Sequence, residues 1–270
     1  MKKSTWHKTV LAILITIIHL IPIYIALTVS FKKITDFSSY WTLPKQLFLE
    51  NYKIAWQNGG MAIGFKNTII ITAIASVLII LISAMAAYPL ARNNSKFNNI
   101  ILTMILSVMM IPPLSLLVPL YVLMRNIGAI STYWGIISVH LAFQLPLAIF
   151  LYTNFIRALP RELDEAALID GCSIFTIFYR IILPLLKPIT VTVLIMTGLN
   201  IWNDYQLSLF FLQKPEMKVI TLTIATFFGI SGANPNVAAA AAIMAVLPVI
   251  VVYLFLQKYF IQGMVESAIK

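Results

Sequence analysis

Residues 165–184 read EAALIDGCSIFTIFYRIILP. Glu162 and Asp164 stand just before this stretch and Asp170 lies within it, so four of the chain's nine acidic residues fall within nine positions. The rest of the 270-residue chain avoids charge: 60% of all residues are hydrophobic, 10% are charged and the mean hydropathy is +0.93. The acids mark a polar interruption between two long apolar runs. How that interruption is read decides how the runs on either side are counted.

A soluble domain is about 45–50% apolar and about 25% charged. A chain as apolar as this one would expose far more hydrophobic surface than water tolerates, so a bilayer is its natural solvent. The net charge of +10 would point to nucleic acid in a soluble protein. Here it fits Lys and Arg at helix ends facing headgroups, and no nucleic acid is expected. A single cysteine, Cys172, excludes an intrachain disulfide and a multi-cysteine metal site. No HExxH, CxxC or spaced carboxylate cluster points to a metal, and no Walker-type glycine loop points to bound ATP.

Crossing a bilayer takes about 20 mostly apolar residues. Six stretches meet that length: Thr9–Val29, Thr68–Leu90, Ile100–Met124, Tyr133–Ile156, Ile189–Leu212 and Val237–Phe260. The first follows Lys2, Lys3 and Lys8. It is too long for a signal-peptide core and no small-x-small cleavage site follows it, so it reads as a retained anchor. Six spans put both termini on one side. If that side is cytoplasmic, inner segments carry eleven basic residues and outer segments eight, a bias in the positive-inside direction. The multi-pass chain is therefore expected in the cell membrane with both termini cytoplasmic. Most outer charge lies in Ser30–Asn67, which also holds Tyr40, Trp41 and Trp56, residue types suited to a membrane interface.

Prolines 22, 89, 112, 113, 119, 146 and 248 fall inside the apolar runs. Each removes a backbone donor and invites a kink, although membrane helices are proline-rich in any case. Polar groups inside the runs are few: His19, His140, Gln144, Asn200, Asn203 and Asp204. An ionisable residue at membrane depth is a functional candidate. Asp204 also fits a shallow, solvated position near the outer end of its span, and both readings stand. The two histidines read as hydrogen-bonded residues between helices.

The acidic segment lies between the fourth and fifth runs, hence on the cytoplasmic side. It reads as helix, corner, helix. Pro160 suits a helix start, and Glu162, Asp164 and Glu165 complement the positive helix N-terminus. Glu162, Glu165 and Ile169 share one face; Leu163, Ala166, Ala167 and Asp170 share the opposite one. Gly171 permits a left-handed corner. Ser173 can cap a second, apolar helix, and Pro184 and Pro188 break the path into the fifth run. Small residues beside carboxylates allow close approach and an ionic contact with a partner's Arg or Lys. A solvated loop whose acids only complement the helix dipole explains the charges but not the alanine pair.

Glu165-Ala166-Ala167, then Gly171, Ile181 and Leu183-Pro184, resemble the EAA loop of ABC-importer permeases. Seven specified positions at roughly 5–10% usage each match by chance on the order of once in 10⁸ starts. Asn51-Tyr52, Asn67-Thr68, Ala86-Ala87-Tyr88, Ala91-Arg92, Pro119-Leu120-Tyr121, Pro160-Arg161-Glu162, Asp170-Gly171 and Trp202-Asn203-Asp204 extend the resemblance over nearly the whole chain. They resemble the carbohydrate-uptake branch, in particular the maltose-type, MalG-like permease. The tail after Gly263 departs from the family's pattern.

The resemblance implies an all-α integral membrane protein with six transmembrane helices, the type I importer permease fold and a cytoplasmic EAA coupling helix. It implies an anchor and outer loop over 1–67, a permease core over 68–262 and a cytoplasmic tail over 263–270. It implies a sugar or oligosaccharide importer in which this chain is a non-catalytic subunit. Its partners would be a second homologous permease, a cytoplasmic ATPase dimer that binds ATP and Mg, and an extracellular solute-binding protein. No cofactor is expected in this chain. Glu165, Ala166, Ala167, Asp170, Gly171, Ile181, Leu183 and Pro184 would couple to the ATPase. Gln144, Trp202, Asn203, Asp204 and Tyr205 would line the sugar path. Gly229, Ser231, Gly232 and Asn234 would meet the binding protein. Two other classes compete. A secondary transporter or channel working without an ATPase wants a midplane ion site or inverted repeats, and no repeat relates the halves. A membrane-embedded enzyme wants convergent catalytic groups, and the acids here come without histidine.

Overall fold

The structure is a computed structural model that describes residues 6–57, 59–228 and 234–268, the last eleven of these by backbone alone. Its elements are helical, and no strand occurs among the described residues. In chain order they are α1 (Trp6–Ser30), α2 (Glu50–Gln57), α3 (Met61–Arg92), α4 (Lys96–Val108), α5 (Leu117–Asn126), α6 (Tyr133–Ala158), α7 (Glu162–Ile169), α8 (Ile174–Ile177), α9 (Leu183–Leu185), α10 (Lys187–Trp202), α11 (Gln206–Phe211), α12 (Ile220–Thr226) and α13 (Pro235–Ala268). Short 3₁₀ turns at Pro113–Leu116 and Pro215–Met217 and a π-helical turn at Phe178–Ile182 complete them.

Four helices are each long and apolar enough to span: α1, α3, α6 and α13, the last over Pro235–Gln257. Two bent pairs are long and apolar enough only when taken together, Lys96–Val108 with Pro113–Asn126 at 89°, and Ile174–Leu185 with Lys187–Trp202 at 73°. With each pair counted as one span, the total is the expected six.

Three of the expected spans need correction. The second begins at Met61 rather than Thr68, because Gly60, at φ +74°, turns the chain directly into the helix. Asn67 therefore sits inside α3. The third is not one helix: Pro112 and Pro113 withhold two backbone donors, and the chain breaks there. The fifth is also interrupted, since α10 ends at Trp202 and Asn203–Tyr205 separate it from α11. Pro22, Pro89, Pro146 and Pro248 lie inside continuous helices. His19 is no interhelical residue either: its Nδ1 lies 2.7 Å from the carbonyl of Ile15 in its own helix.

The chain forms two compact units, Met1–Phe65 with Ile220–Pro248, and Lys66–Val219 with Val249–Lys270. In the first, α1 is apolar and its side chains are mostly exposed before Thr28, which suits a hydrocarbon solvent. The end of α1 is closed by two asparagine amides. Asn51 donates to the carbonyls of Ser30 and Lys32, and Asn236 to those of Val29 and Lys32. The carbonyls of Val29 and Ser30 belong to the last turn of α1, which a helix end leaves unsatisfied, and that of Lys32 lies just beyond it. Lys32, counted from sequence as an outer charge, is buried. Its ammonium donates to Ser38 Oγ at 2.8 Å, the Ser39 carbonyl at 2.7 Å and Thr42 Oγ1 at 3.3 Å. It organises the loop rather than facing headgroups. Ala238, Ala240 and Ala241 are buried on α13, small side chains of the kind that let helix backbones approach closely in a membrane.

In the second unit α6 is the hub, packing against α4, α10 and α11. It buries Ile136, Val139, His140, Ile149, Tyr152 and Ile156. Tyr152 donates its hydroxyl to Thr190 Oγ1 of α10 at 2.8 Å. In hydrocarbon such packing and hydrogen bonds, rather than escape from water, hold helices together.

Candidate functional site

The acidic segment forms the corner expected. Three acids, Glu162, Asp164 and Glu165, occupy the first turn of α7. Gly171 follows at φ +77°, with its N–H bonded to the Leu168 carbonyl and the Cys172 N–H to that of Ala167. A Cβ on Gly171 would meet nothing within 4 Å, so the glycine answers a backbone demand rather than a space demand. Ser173 Oγ then accepts from the Thr176 N–H and caps α8. Beyond α8 the chain makes one π-helical turn over Phe178–Ile182, where the Leu183 N–H bonds back to the Phe178 carbonyl. Ile181 lies in this turn, with Leu183 and Pro184 directly after it. Such turns recur at functional sites in helical proteins.

The faces of α7 differ from the sequence reading in one respect. Glu162, Glu165 and Ile169 are all exposed, with Ile169 at 87%. The alanine pair does not act as one patch: Ala167 is buried and Ala166 exposed. Asp170 is exposed at the C-terminal cap of the helix. Ile174 and Phe175 of α8 are exposed as well, whereas Ile177, Phe178 and Ile182 form the buried base. Beside α7 lies a cavity of about 550 Å³, lined among others by Tyr88, Glu165, Leu168, Phe175 and Phe178.

Sequence reasoning gave Asp164 only a helix-dipole role. The structure gives it partners on α3. Arg92 Nη2 lies 2.7 Å from Asp164 Oδ2, an ion pair off the hydrogen-bond angle, and the Tyr88 hydroxyl donates to Oδ1 at 2.6 Å. The one available signal was Arg92 itself, a charge at the end of an apolar run opposite an excess of acids.

Of the residues expected along a path, Trp202, Asn203, Asp204 and Tyr205 fall at the break between α10 and α11. Trp202 ends α10, Asn203 caps it, and Tyr205 is exposed. Asp204 is the N-cap group of α11 in effect: its carboxylate accepts from the N–H groups of Leu207 at 3.1 Å and Ser208 at 2.8 Å, and from Ser208 Oγ at 2.7 Å. His140 of α6 is buried with Nε2 4.0 Å from the same carboxylate. Gln144 is half-buried one turn further along α6. Asp204 and His140 therefore belong to one neighbourhood, and Gln144 shares the His140 face of α6. Gly229, Ser231 and Gly232 lie outside the described residues. Asn234 bonds through its N–H to the Phe227 carbonyl and accepts from the Val237 N–H, capping α13.

A family model described as binding-protein-dependent transport system inner membrane component matches residues 76–266, a span that holds the whole α7–α9 corner. The chain belongs to this family. The melibiose/raffinose/stachyose import permease protein MelC of Bacillus subtilis (strain 168) is 44% identical over 269 residues, covering 99% of this chain and 98% of that one. The probable starch degradation products transport system permease protein AmyC of Thermoanaerobacterium thermosulfurigenes is 36% identical over 97% of this chain and 96% of its own. A chain from the crystal structure of a bacterial ABC transporter involved in the import of the acidic polysaccharide alginate matches with TM-score 0.82 at 22% identity, covering 96% of this chain and 98% of that one. At that identity the likeness establishes the fold alone, an all-α membrane fold. Family membership and the apolar spans make this a multi-pass membrane protein.

Proposed function

We propose that this permease is one half of the translocation path of an ATP-driven importer for a sugar or oligosaccharide. A second homologous permease supplies the other half, a cytoplasmic ATPase dimer binds ATP and Mg, and an extracellular binding protein delivers the sugar. The chain itself is non-catalytic. Both termini lie in the cytoplasm, with anchor and outer loop over 1–67, core over 68–262 and tail over 263–270. The reading is carried by the α7 corner, in which exposed carboxylates, Ile169 and Phe175 project from a buried base. Such a knob wants a partner that is basic and apolar by turns. Glu165 makes its ionic contact. Ala166 and Asp170 set how closely the partner approaches, Ala167 packs beneath them, Gly171 sets the corner, and Ile181, Leu183 and Pro184 seat it on the membrane core.

The names of the similar permeases supply the substrate class, with melibiose, raffinose and stachyose first to be tried. Gln144, Trp202, Asn203, Asp204 and Tyr205 offer hydrogen bonds and ring faces to a passing sugar. Gly229, Ser231, Gly232 and Asn234 meet the binding protein. The test is uptake of radiolabelled raffinose into proteoliposomes holding this chain with its genomically adjacent permease, ATPase and binding protein. Uptake that needs ATP and every partner supports the reading. Uptake by this chain alone, driven by an ion gradient, would replace it with a secondary transporter.

A further inference from the structure

Resting on the reading of α7 as the ATPase-facing segment, we infer that Arg92 and Asp164 form the joint through which α7 moves the membrane-spanning helix α3. Arg92 is the last residue of α3. Its Nη1 donates to the carbonyls of Ile156 at 3.1 Å and Leu159 at 3.0 Å, and Nη2 donates to that of Pro160 at 3.3 Å while pairing with Asp164 at 2.7 Å. One guanidinium thus holds the exit of α6, the linking turn and the head of α7. Arg157 returns the strap from α6, its Nη2 donating to the Leu90 carbonyl of α3 at 3.4 Å.

The carboxylate is gripped twice from the same helix. Tyr88 and Arg92 are four residues apart, hence neighbours on one face of α3, and each takes one oxygen of Asp164. The Tyr88 ring also packs on Phe178 of the π-helical turn, with centroids 5.4 Å apart. So α3 touches both sides of the corner, α7 through charge and the π-turn through an aromatic face.

Both charged side chains are only 13% exposed. A buried ion pair of this kind is a weak source of net stability but a strict specifier of position, since either charge left alone is heavily penalised. A planar fork fixes orientation as well as distance, which a lysine ammonium does not. Hydrogen bonds weaken steeply off their geometry, so a shift of α7 relative to α3 breaks several contacts together. The acids of α7 therefore divide: Asp164 faces inward to α3, and Glu165 outward. Arg92, Tyr88 and Asp164 are positioning residues that pass motion on without touching sugar or ATP.

The experiment uses the full transporter in lipid nanodiscs, spin-labelled at Asn94 and Leu163, both exposed and on either side of the joint. Electron–electron resonance should give one narrow label distance, unchanged between nucleotide-free and ATP-trapped states. Arg92→Gln, and more mildly Tyr88→Phe, should broaden it. The same variants should lower raffinose imported per ATP hydrolysed, by about fivefold or more for Arg92→Gln, at the low end of typical inter-site coupling. Tyr88→Phe keeps the ring on Phe178 and serves if Arg92→Gln fails to assemble. A narrow distance in the variants, whatever their uptake, overturns the joint. The label distance is read without reference to the ATPase, so failure of α7 docking would show separately as an ATPase indifferent to Glu165→Lys.

Discussion

Tyr133 at the head of α6 donates its hydroxyl to the side-chain oxygen of Asn67 in α3 at 2.6 Å. The Asn67 amide nitrogen in turn donates to the carbonyls of Glu216 at 2.9 Å and Lys218 at 2.8 Å. One buried asparagine thus ties α3, α6 and the segment leading to α12. Replacing Asn67 by Asp turns the donor into an acceptor aimed at two carbonyls. The near-isosteric Asn67→Asp should therefore destabilise by about 2–3 kcal/mol, an unmade buried hydrogen bond costing about 1–3. Thermal unfolding in nanodiscs would show a lowered Tm; an unchanged Tm would contradict the tie.

Asn67 also shows where the sequence misleads. A polar residue before an apolar run looks like loop, and only tertiary partners explain its place inside a helix. The apolar lengths of α1, α6 and α13 were legible because a bilayer sets them. The corner was legible because Gly171 and Ser173 act locally. The breaks were not, since proline interrupts the chain at Pro112–Pro113 yet is tolerated at Pro89 and Pro146. The partners of Asp164 and Asp204 were not legible either, because pairing across helices leaves no periodic trace.

Asp204 as a helix cap makes a prediction of its own. Asp204→Ala strips acceptors from the N–H groups of Leu207 and Ser208 and should cost about 1–2 kcal/mol. Asp204→Asn keeps one acceptor oxygen and should recover part of that loss. Equal Tm values for the two variants would argue that the carboxylate serves something other than the cap.

Gly171 at φ +77° should tolerate no β-branched side chain, because Val is strongly disfavoured in the left-handed region. Gly171→Val should reduce sugar-stimulated ATP hydrolysis by the assembled transporter well below that of Cys172→Val. Equal effects would mean the left-handed corner is not required for coupling.

Deletion of residues 229–234 should spare co-purification of this chain with the ATPase and weaken capture of the binding protein in the ATP-trapped state. Normal uptake by the deletion would make this segment a plain connection.

The ATPase contact of α7 is tested most directly by Glu165→Lys. This exposed acid becomes a base without disturbing the Arg92–Asp164 pair. In proteoliposomes, ATP hydrolysis is measured with and without the sugar-loaded binding protein. The expected result is a correctly inserted permease whose stimulated hydrolysis is lost. A fully stimulated Glu165→Lys transporter would contradict the assignment of α7 as the coupling helix.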